Sequence, residues 1–562
     1  MSGNSSTSSE VVSSPDSTSA GQSRSSVGLR AQARAYWATP AGKAITAGTL
    51  LALAIRLFTL TRPGFLTNVN EYDDGVYLGS AIRLLQGQLP YHSYAYVQPP
   101  GIILIAVPAA IVAKLTASSA AGLGVARVMT ALASTACVPL AGNLVRYRGA
   151  LVTLVTCGIL AVYPDDITAA HTLLLEPWMN LVVLIGVNAA FRRGHLRKPV
   201  NLLWAGVAIG AAGSIKYWAV APAAVLLVCC LLVKPDRAKR MRAYIAGLVV
   251  GFGVIVLPFA VSTPVTFLRS TLQYQATRTG TSVPLSLRLA HLTGLIDLLN
   301  DHGRLDLHPG STSMFASDST AYTSSSGAGF LSFVIAAIIV AIIAIAYLWN
   351  PRRPSMLDWF ALATTCLASI AMLYYSAFFY HYPAWAAPWA AITVGCAAGL
   401  LAGRHGLQRR MVYTAGTVIV LISLFEGYEL GGVSVGTTAP ISAYIPAGAC
   451  VVTDEVSLTI SSDRFTSSKP GCPDVIDSLA TTLVLSGGVS NQGGAMEMPK
   501  VIQGWKNILS KADYVWVSTN SDKRIPWTQE PNPSPLWIWF TNNFIPVTER
   551  STSLGQLFKH NS

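Results

Sequence analysis

Apolar residues in this chain gather in long runs, with neither the spacing of a soluble amphipathic helix nor the alternation of a half-buried strand. Eleven runs carry few charges: near 44–60, 121–145, 149–163, 177–191, 200–215, 217–233, 243–262, 329–349, 357–378, 384–402 and 411–430. Several are shorter than the ~20 residues an untilted helix needs to cross the hydrocarbon layer, so the spans they predict have loose boundaries. A further apolar stretch, 101–115, follows Pro99-Pro100 and contains Pro108. It reads as a short segment that starts outside and dips into the membrane or lies on it; a missed span is the alternative. The expected fold is an α-helical polytopic membrane protein of about 11–13 transmembrane helices with a small C-terminal extracytoplasmic α/β domain.

The polar segments complete this division. Residues 1–35 are rich in Ser, Thr and Gly, cannot bury a core, and are expected to form a disordered cytoplasmic tail. Residues 36–435 form the membrane domain, with outer loops at 61–100, 164–176 and 263–328. Residues 436–562 form the extracytoplasmic domain. In it Ala449–Thr453 and Tyr514–Val517 read as short buried strands. The Asn/Trp/Pro-rich stretch 526–540 reads as irregular and near the membrane surface, where Trp is favoured.

Composition supports lipid as the main solvent: 52% of the 562 residues are hydrophobic and 12% charged. A soluble chain carries roughly twice that charge. The net charge of +13 invites a nucleic-acid reading. However, the basic residues cluster in short gaps between apolar runs: Arg192, Arg193, Arg197 and Lys198; Lys234 to Arg242; Arg352 and Arg353; Arg404, Arg409 and Arg410. That is the positive-inside pattern, and no nucleic-acid partner is expected. Eleven crossings from an inside N-terminus put all these clusters in the cytoplasm and the tail outside. Six cysteines lie in apolar runs; Cys450 and Cys472 lie in the tail, where an outside location would let them pair.

Three polar constellations then fall on the outer side. Glu71-Tyr72-Asp73-Asp74-Gly75 precedes an amphipathic pattern from Val76 to Leu85 that includes Tyr77. A helix cap worth ~1 kcal/mol needs one such residue. Three carboxylates in four positions call instead for a cation, a donor hydroxyl or a proton. The second constellation is Asp165 and Asp166, with His171 and Glu176 close behind. Glu176 opens an otherwise uncharged helix, costly unless it lines a polar cavity; a loop carboxylate favoured by the helix dipole is the alternative. The third is cationic and aromatic: Lys216, Arg278, Arg288 and Tyr380-His381-Tyr382. Phosphate anions need such donors, although a snorkelling Lys216 fits the pattern too.

The stretch from Asp73-Asp74-Gly75-Val76-Tyr77 to Pro99-Pro100-Gly101 resembles the GT-C superfamily of integral membrane glycosyltransferases. The likeness is to the bacterial branch related to protein O-mannosyltransferases and to the aminoarabinose transferase of lipid A, which is glycosyltransferase family 39-like. His171–Asn180, Ser214-Ile215-Lys216, His381–Pro388, Pro446–Asp454 and Cys472–Asp477 are similar to the same group. The resemblance implies a GT-C-type bundle and a polyprenyl-phosphate-linked sugar as donor. It also implies a membrane-lipid environment, inversion at the sugar carbon, and an envelope glycan or glycolipid as acceptor. It assigns Asp73 or Asp74 as catalytic base and Lys216, Arg278, Arg288 and His381 to the leaving phosphate. Glu71, Tyr77, His171, Glu176, Tyr380 and Tyr382 join them as substrate-binding candidates. No cofactor is expected. A divalent metal at Asp74, Asp165 and Asp166 stays open, because oligosaccharyltransferase relatives bind one through acidic outer loops.

Two departures matter. Tyr96-Val97-Gln98 stand where relatives carry Glu-Lys before the Pro-Pro pair, so donor recognition is expected to differ from aminoarabinose transfer. The tail shows no repeated trefoil pattern, which disfavours protein as acceptor. A polytopic transporter or flippase, or a non-catalytic envelope assembly protein, remains the alternative class.

Overall fold

A helix forms on every one of the eleven apolar runs. In chain order the main helices are α1 (Pro40–Leu60), α2 (Tyr72–Leu85), α3 (Gly101–Thr116), α4 (Ser119–Val145), α5 (Ala150–Val162), α6 (Pro164–Ala170), α7 (Leu175–Ala190) and α8 (Pro199–Gly213). They continue as α9 (Val220–Leu232), α10 (Arg237–Ala260), α11 (Leu285–Thr293), α12 (Ser326–Leu348), α13 (Met356–Tyr374), α14 (Ala387–Leu401) and α15 (His405–Gly431). The computed structural model describes residues 37–276, 283–294, 326–349, 353–375, 377–403, 405–431, 434–490, 493–519, 524–529, 531–550 and 554–561. The N-terminal segment 1–35 lies outside them, as does Arg278.

Among the described residues, α1, α4, α10, α12 and α13 are long and apolar enough to cross a membrane. The pair α5 and α6, bent by 55°, makes a sixth such element. Helices α3, α7, α8 and α14, and the helix ending at Leu232, are apolar but shorter. The chain is an integral membrane protein. Residues 101–115 form a helix that runs through Pro108 without a break. Residues 164–170, expected as outer loop, instead turn back into the protein as α6. Pro164 starts that helix, and Asp165 and Asp166 are buried in its first turn. Partners described below make that burial tolerable.

Close backbone contact fixes one helix pair. Gly206 and Gly210 on α8 face Gly247 and Gly251 on α10, each pair spaced by four. A Cβ at Gly206 would lie 2.3 Å from the Tyr244 carbonyl oxygen, and one at Gly251 would lie 2.0 Å from that of Val207. Small residues at this spacing let membrane helices touch backbone to backbone and gain dispersion that lipid tails cannot match.

The tail is a small α/β unit. Strands β3 (Val451–Thr453), β4 (Tyr514–Val517), β5 (Phe544–Pro546) and β6 (Gln556–His560) form a sheet in the order β3-β4-β6-β5. The first pairing is parallel, with Val452 opposite Val515, and the other two are antiparallel. (The two-residue strands Phe191–Arg192 and His195–Leu196, β1 and β2, form a hairpin elsewhere.) All of β4 is buried, as a strand covered on both faces should be. Val501, Trp505 and Leu509 recur at helical spacing on the helix Pro499–Leu509 and pack on the sheet. The stretch 526–540 does not behave as its composition suggested. Trp527, Leu536 and Phe540 are fully buried and belong to the tail's core. Trp527 and Phe540 meet there with ring centroids 5.1 Å apart, a contact that adds to their burial. Cys450 and Cys472 form a disulfide.

Gly251→Leu should force α8 and α10 apart and cost about 1–3 kcal/mol, the usual price of overpacking. The check is thermal unfolding in detergent; melting identical to wild type would show that the two helices do not meet there.

Candidate active site

The acidic turn after α1 is built as a helix start. Glu71 is the N-cap of α2 in extended conformation, and its side chain accepts from the Tyr72 backbone N–H at 2.9 Å. Its other oxygen accepts from the Tyr380 hydroxyl at 2.5 Å. Burial, reinforced by the charge on Asp73, pushes the Glu71 carboxyl well above its ordinary value, against the opposing Tyr380 hydrogen bond.

Asp74 points into the protein and is fully buried. Arg127 of α4 donates to its Oδ2 through Nε at 3.1 Å and a terminal nitrogen at 2.7 Å. The remaining terminal nitrogen donates to the Phe65 carbonyl at 2.8 Å. From the tail, the Ser457 hydroxyl reaches Asp74 Oδ1 at 3.2 Å and the Glu71 carbonyl at 2.6 Å. Gly75 makes room for this contact, since a Cβ there would lie 2.5 Å from the Ser457 backbone nitrogen.

Asp73 is different. It is partly exposed, and among the described residues one hydroxyl meets it, that of Tyr77 at 3.0 Å from Oδ2. Its other oxygen accepts no hydrogen bond from them. Of the three carboxylates, Asp73 is the one that keeps an oxygen without a hydrogen-bond partner among the described residues.

A chain of contacts leads from this turn to a cation. Tyr380 stacks edge-on against His381, and His381 Nδ1 lies 3.1 Å from Glu176 Oε2. The other Glu176 oxygen pairs with Lys216. The Lys216 ammonium sits 3.6 Å from the centre of the Trp218 ring and 4.2 Å from that of Tyr382, so two aromatic faces hold it. Glu71, Asp73, Tyr77, Tyr380, His381, Tyr382, Glu176 and Lys216 therefore form one cluster.

The other predicted residues lie around it in separate roles. His171 is buried with its ring edge-on to Phe65. Arg288 donates to the carbonyls of Met372 and Tyr375 at 2.9 and 2.7 Å, closing the C-terminal end of α13. Asp165 pairs with His291 at 2.9 Å. Asp166 accepts from Arg56 at 2.5 Å and Ser134 at 2.8 Å. The three metal candidates, Asp74, Asp165 and Asp166, are thus held by three different partners. Among the described residues no group of three or more His, Cys, Asp or Glu is placed to hold a metal ion.

Arg56, Arg127 and Ser457 were not singled out in the sequence. A signal existed for the two arginines, each lying inside an apolar run, where an ionisable residue demands a partner. Ser457 carries none.

The tail closes over the turn. Tyr72 donates to Asp477 at 2.8 Å, and Arg524 lies 4.4 Å over its ring. Arg83 of α2 pairs with Asp474 at 2.7 Å. Asp463 accepts from the Ala120 backbone N–H at 2.9 Å, at the start of α4. Arg524 pairs with Glu455 at 2.5 Å and lies 3.9 Å from Asp454.

Residues 118–272 match the family model described as dolichyl-phosphate-mannose-protein mannosyltransferase, PMT. No curated protein matches the chain at a significant level. The fold matches the crystal structure of ArnT from Cupriavidus metallidurans bound to undecaprenyl phosphate, with TM-score 0.57 and 14% identity over 92% of this chain and 98% of that one. The same protein in the apo state gives TM-score 0.46 at 14% identity and the same coverage. The family match thus covers part of the membrane domain, α4 to α10 and the turn beyond, and the fold of the chain is like that of ArnT.

Two outcomes follow from the paired carboxylates. Arg127→Leu strands Asp74 in the interior and should cost about 3–5 kcal/mol, read as a lower melting temperature in detergent; unchanged melting would remove Arg127 from the turn's support. Asp454 is pushed up to about 6 by burial, which outweighs Arg524 and Ser518. Its unfolded value is ~3.9, so the folded state holds the proton more tightly. The stability this gives is complete below ~4 and is lost as pH rises through 6, to the extent of about 3 kcal/mol. Relative to Asp454→Asn, wild type should therefore lose melting temperature between pH 4 and 6.5 and hold a constant difference above; a difference independent of pH throughout would contradict the shift.

Proposed function

We propose that the chain transfers a single sugar from a polyprenyl-phosphate-linked donor to a hydroxyl of an envelope glycan or glycolipid on the extracytoplasmic face, inverting the sugar carbon. The observation that carries this reading is the different state of the three neighbouring acids. Glu71 is occupied as a cap, Asp74 is clamped by Arg127, and Asp73 keeps an open oxygen.

Asp73 removes the acceptor's hydroxyl proton as the acceptor oxygen bonds to the sugar carbon. The bond from that carbon to the phosphate oxygen breaks, and its electron pair leaves on the phosphate. An alcohol nucleophile needs this general base, whereas a phosphate leaving group needs positive charge. Lys216 supplies it from the other end of the cluster, where His381 stands beside the same Glu176 carboxylate. Tyr77 donates to Asp73 Oδ2 at 3.0 Å and so holds that carboxylate within the cluster.

Two further features belong to the reading. The basic gaps between helices put the N-terminus in the cytoplasm and the tail outside. Asp74 and Asp166 already face buried arginines, so the positive charge a metal would bring is supplied by the chain.

Asp73→Asn should lower transfer by about 10²–10⁴, the usual weight of general-base catalysis, with expression and melting unchanged. Membranes given radiolabelled polyprenyl-phosphate mannose or arabinose provide the assay, in which label appears in a lipid or polymer acceptor. Full activity in Asp73→Asn would refute the base assignment. EDTA should leave transfer unchanged; a loss restored by Mg²⁺ or Mn²⁺ would refute the metal-free reading.

A further inference from the structure

Four helices of the bundle have one end at the acidic cluster or its supports and the other end at a second polar site. Glu176 lies at the start of α7, and Phe191 and Arg192 follow its last residue. Sixteen residues at 1.5 Å rise separate the two by about 24 Å. α1 likewise runs from Thr39 to the neighbourhood of Arg56, α5 runs from Gly149 to the carbonyls that Arg56 binds, and α4 runs from the tail's Asp463 to Arg146. The second site is therefore on the opposite side of the membrane domain from the tail.

It is a cavity of about 690 Å³ whose lining includes Arg146, Arg192, Arg193 and Arg197. No Asp or Glu is among the described residues that line it. Arg192 and Arg193 are exposed and form no ion pair with any described residue. Arg193 adopts φ +49° in the turn between β1 and β2, with Gly194 at +83°. Asn-Gly suits that kind of two-residue turn better, so an arginine is presented there at some conformational cost.

The backbone adds to the positive field. The N-terminal residues of α1 and α5, Pro40 and Ala150, both line the cavity, and α5 has no side-chain cap. Two helix dipoles thus direct their positive ends toward the space the arginines surround. The rest of the lining is mixed, with Leu144, Phe191 and Ala41 apolar and Asn143, Asn188 and Tyr147 polar. Trp37, nearly half exposed, stands two residues before Thr39, as expected at a membrane interface.

We infer that this cavity binds the phosphate headgroup of an anionic glycerophospholipid from the leaflet opposite the tail. Arginine forks match phosphate oxygens, and basic pockets between helices at this interface suit anionic headgroups. The apolar part of the lining fits the glycerol and upper acyl region, which a free phosphate would leave unused. The inference rests on the cavity alone and stands or falls separately from sugar transfer.

Native mass spectrometry of the full chain, purified from mixed phosphatidylglycerol and phosphatidylcholine micelles, tests it. Wild type should retain one phosphatidylglycerol at least ~10-fold in preference to phosphatidylcholine, as bidentate arginine contacts imply. The exposed pair Arg192→Gln with Arg193→Gln should lose that preference while melting like wild type in phosphatidylcholine. Arg192→Lys with Arg193→Lys should keep part of it. Equal retention of both lipids by wild type, or undiminished retention by the glutamine pair, overturns the site. Displacement of phosphatidylglycerol by millimolar inorganic phosphate overturns its assignment to a lipid.

Discussion

The fully buried pair of Arg127 and Asp74 is the interaction on which the rest of the site depends. Neither charge could remain in this interior without the other. Their bond ties α4 to the first turn of α2, and the same guanidinium holds the Phe65 carbonyl in the segment before that turn. Ser457 completes the arrangement from the tail. Arg56 with Asp166 and Lys216 with Glu176 repeat the principle at other helix junctions. Charges that a lipid-embedded bundle would otherwise exclude become its cross-links, because each can be satisfied only by one partner in one place.

Helical geometry then separates three adjacent acids. A turn of α2 sends consecutive side chains about 100° apart, so Asp74 faces α4 while Asp73 faces the cluster with Tyr77. Glu71, still extended, reaches back to cap the helix it precedes. One tripled acidic motif thus yields a cap, a structural ion pair and an open carboxylate. The aromatic rings of Trp218 and Tyr382 fix the cationic end in a comparable way, holding Lys216 where Glu176 and His381 converge.

The tail is part of this site as well as an appendage to the bundle. Its contacts with Tyr72, Arg83 and the start of α4 all fall on the elements that carry the acids. A membrane domain alone would leave Asp74 Oδ1 without Ser457, and would leave the space above Gly75 unfilled.

The apolar runs by themselves determined that the chain is an integral membrane protein and where its helices form, since lipid admits few other solutions for an uninterrupted apolar segment. The acidic motif, Glu176, Lys216 and Tyr380-His381-Tyr382 were legible as candidates, because charge and hydroxyl groups are conspicuous in such a sequence. What only the tertiary structure decided was which candidates meet. Arg288 was diverted to the carbonyls ending α13, and Asp165 and Asp166 were drawn inward on α6, a segment that reads as loop. Trp527 and Phe540 went to the tail's core, where an aromatic side chain gains as much burial as at a membrane surface and better packing. Pairing of this kind depends on long-range approach between elements dozens or hundreds of residues apart, and no local pattern records it.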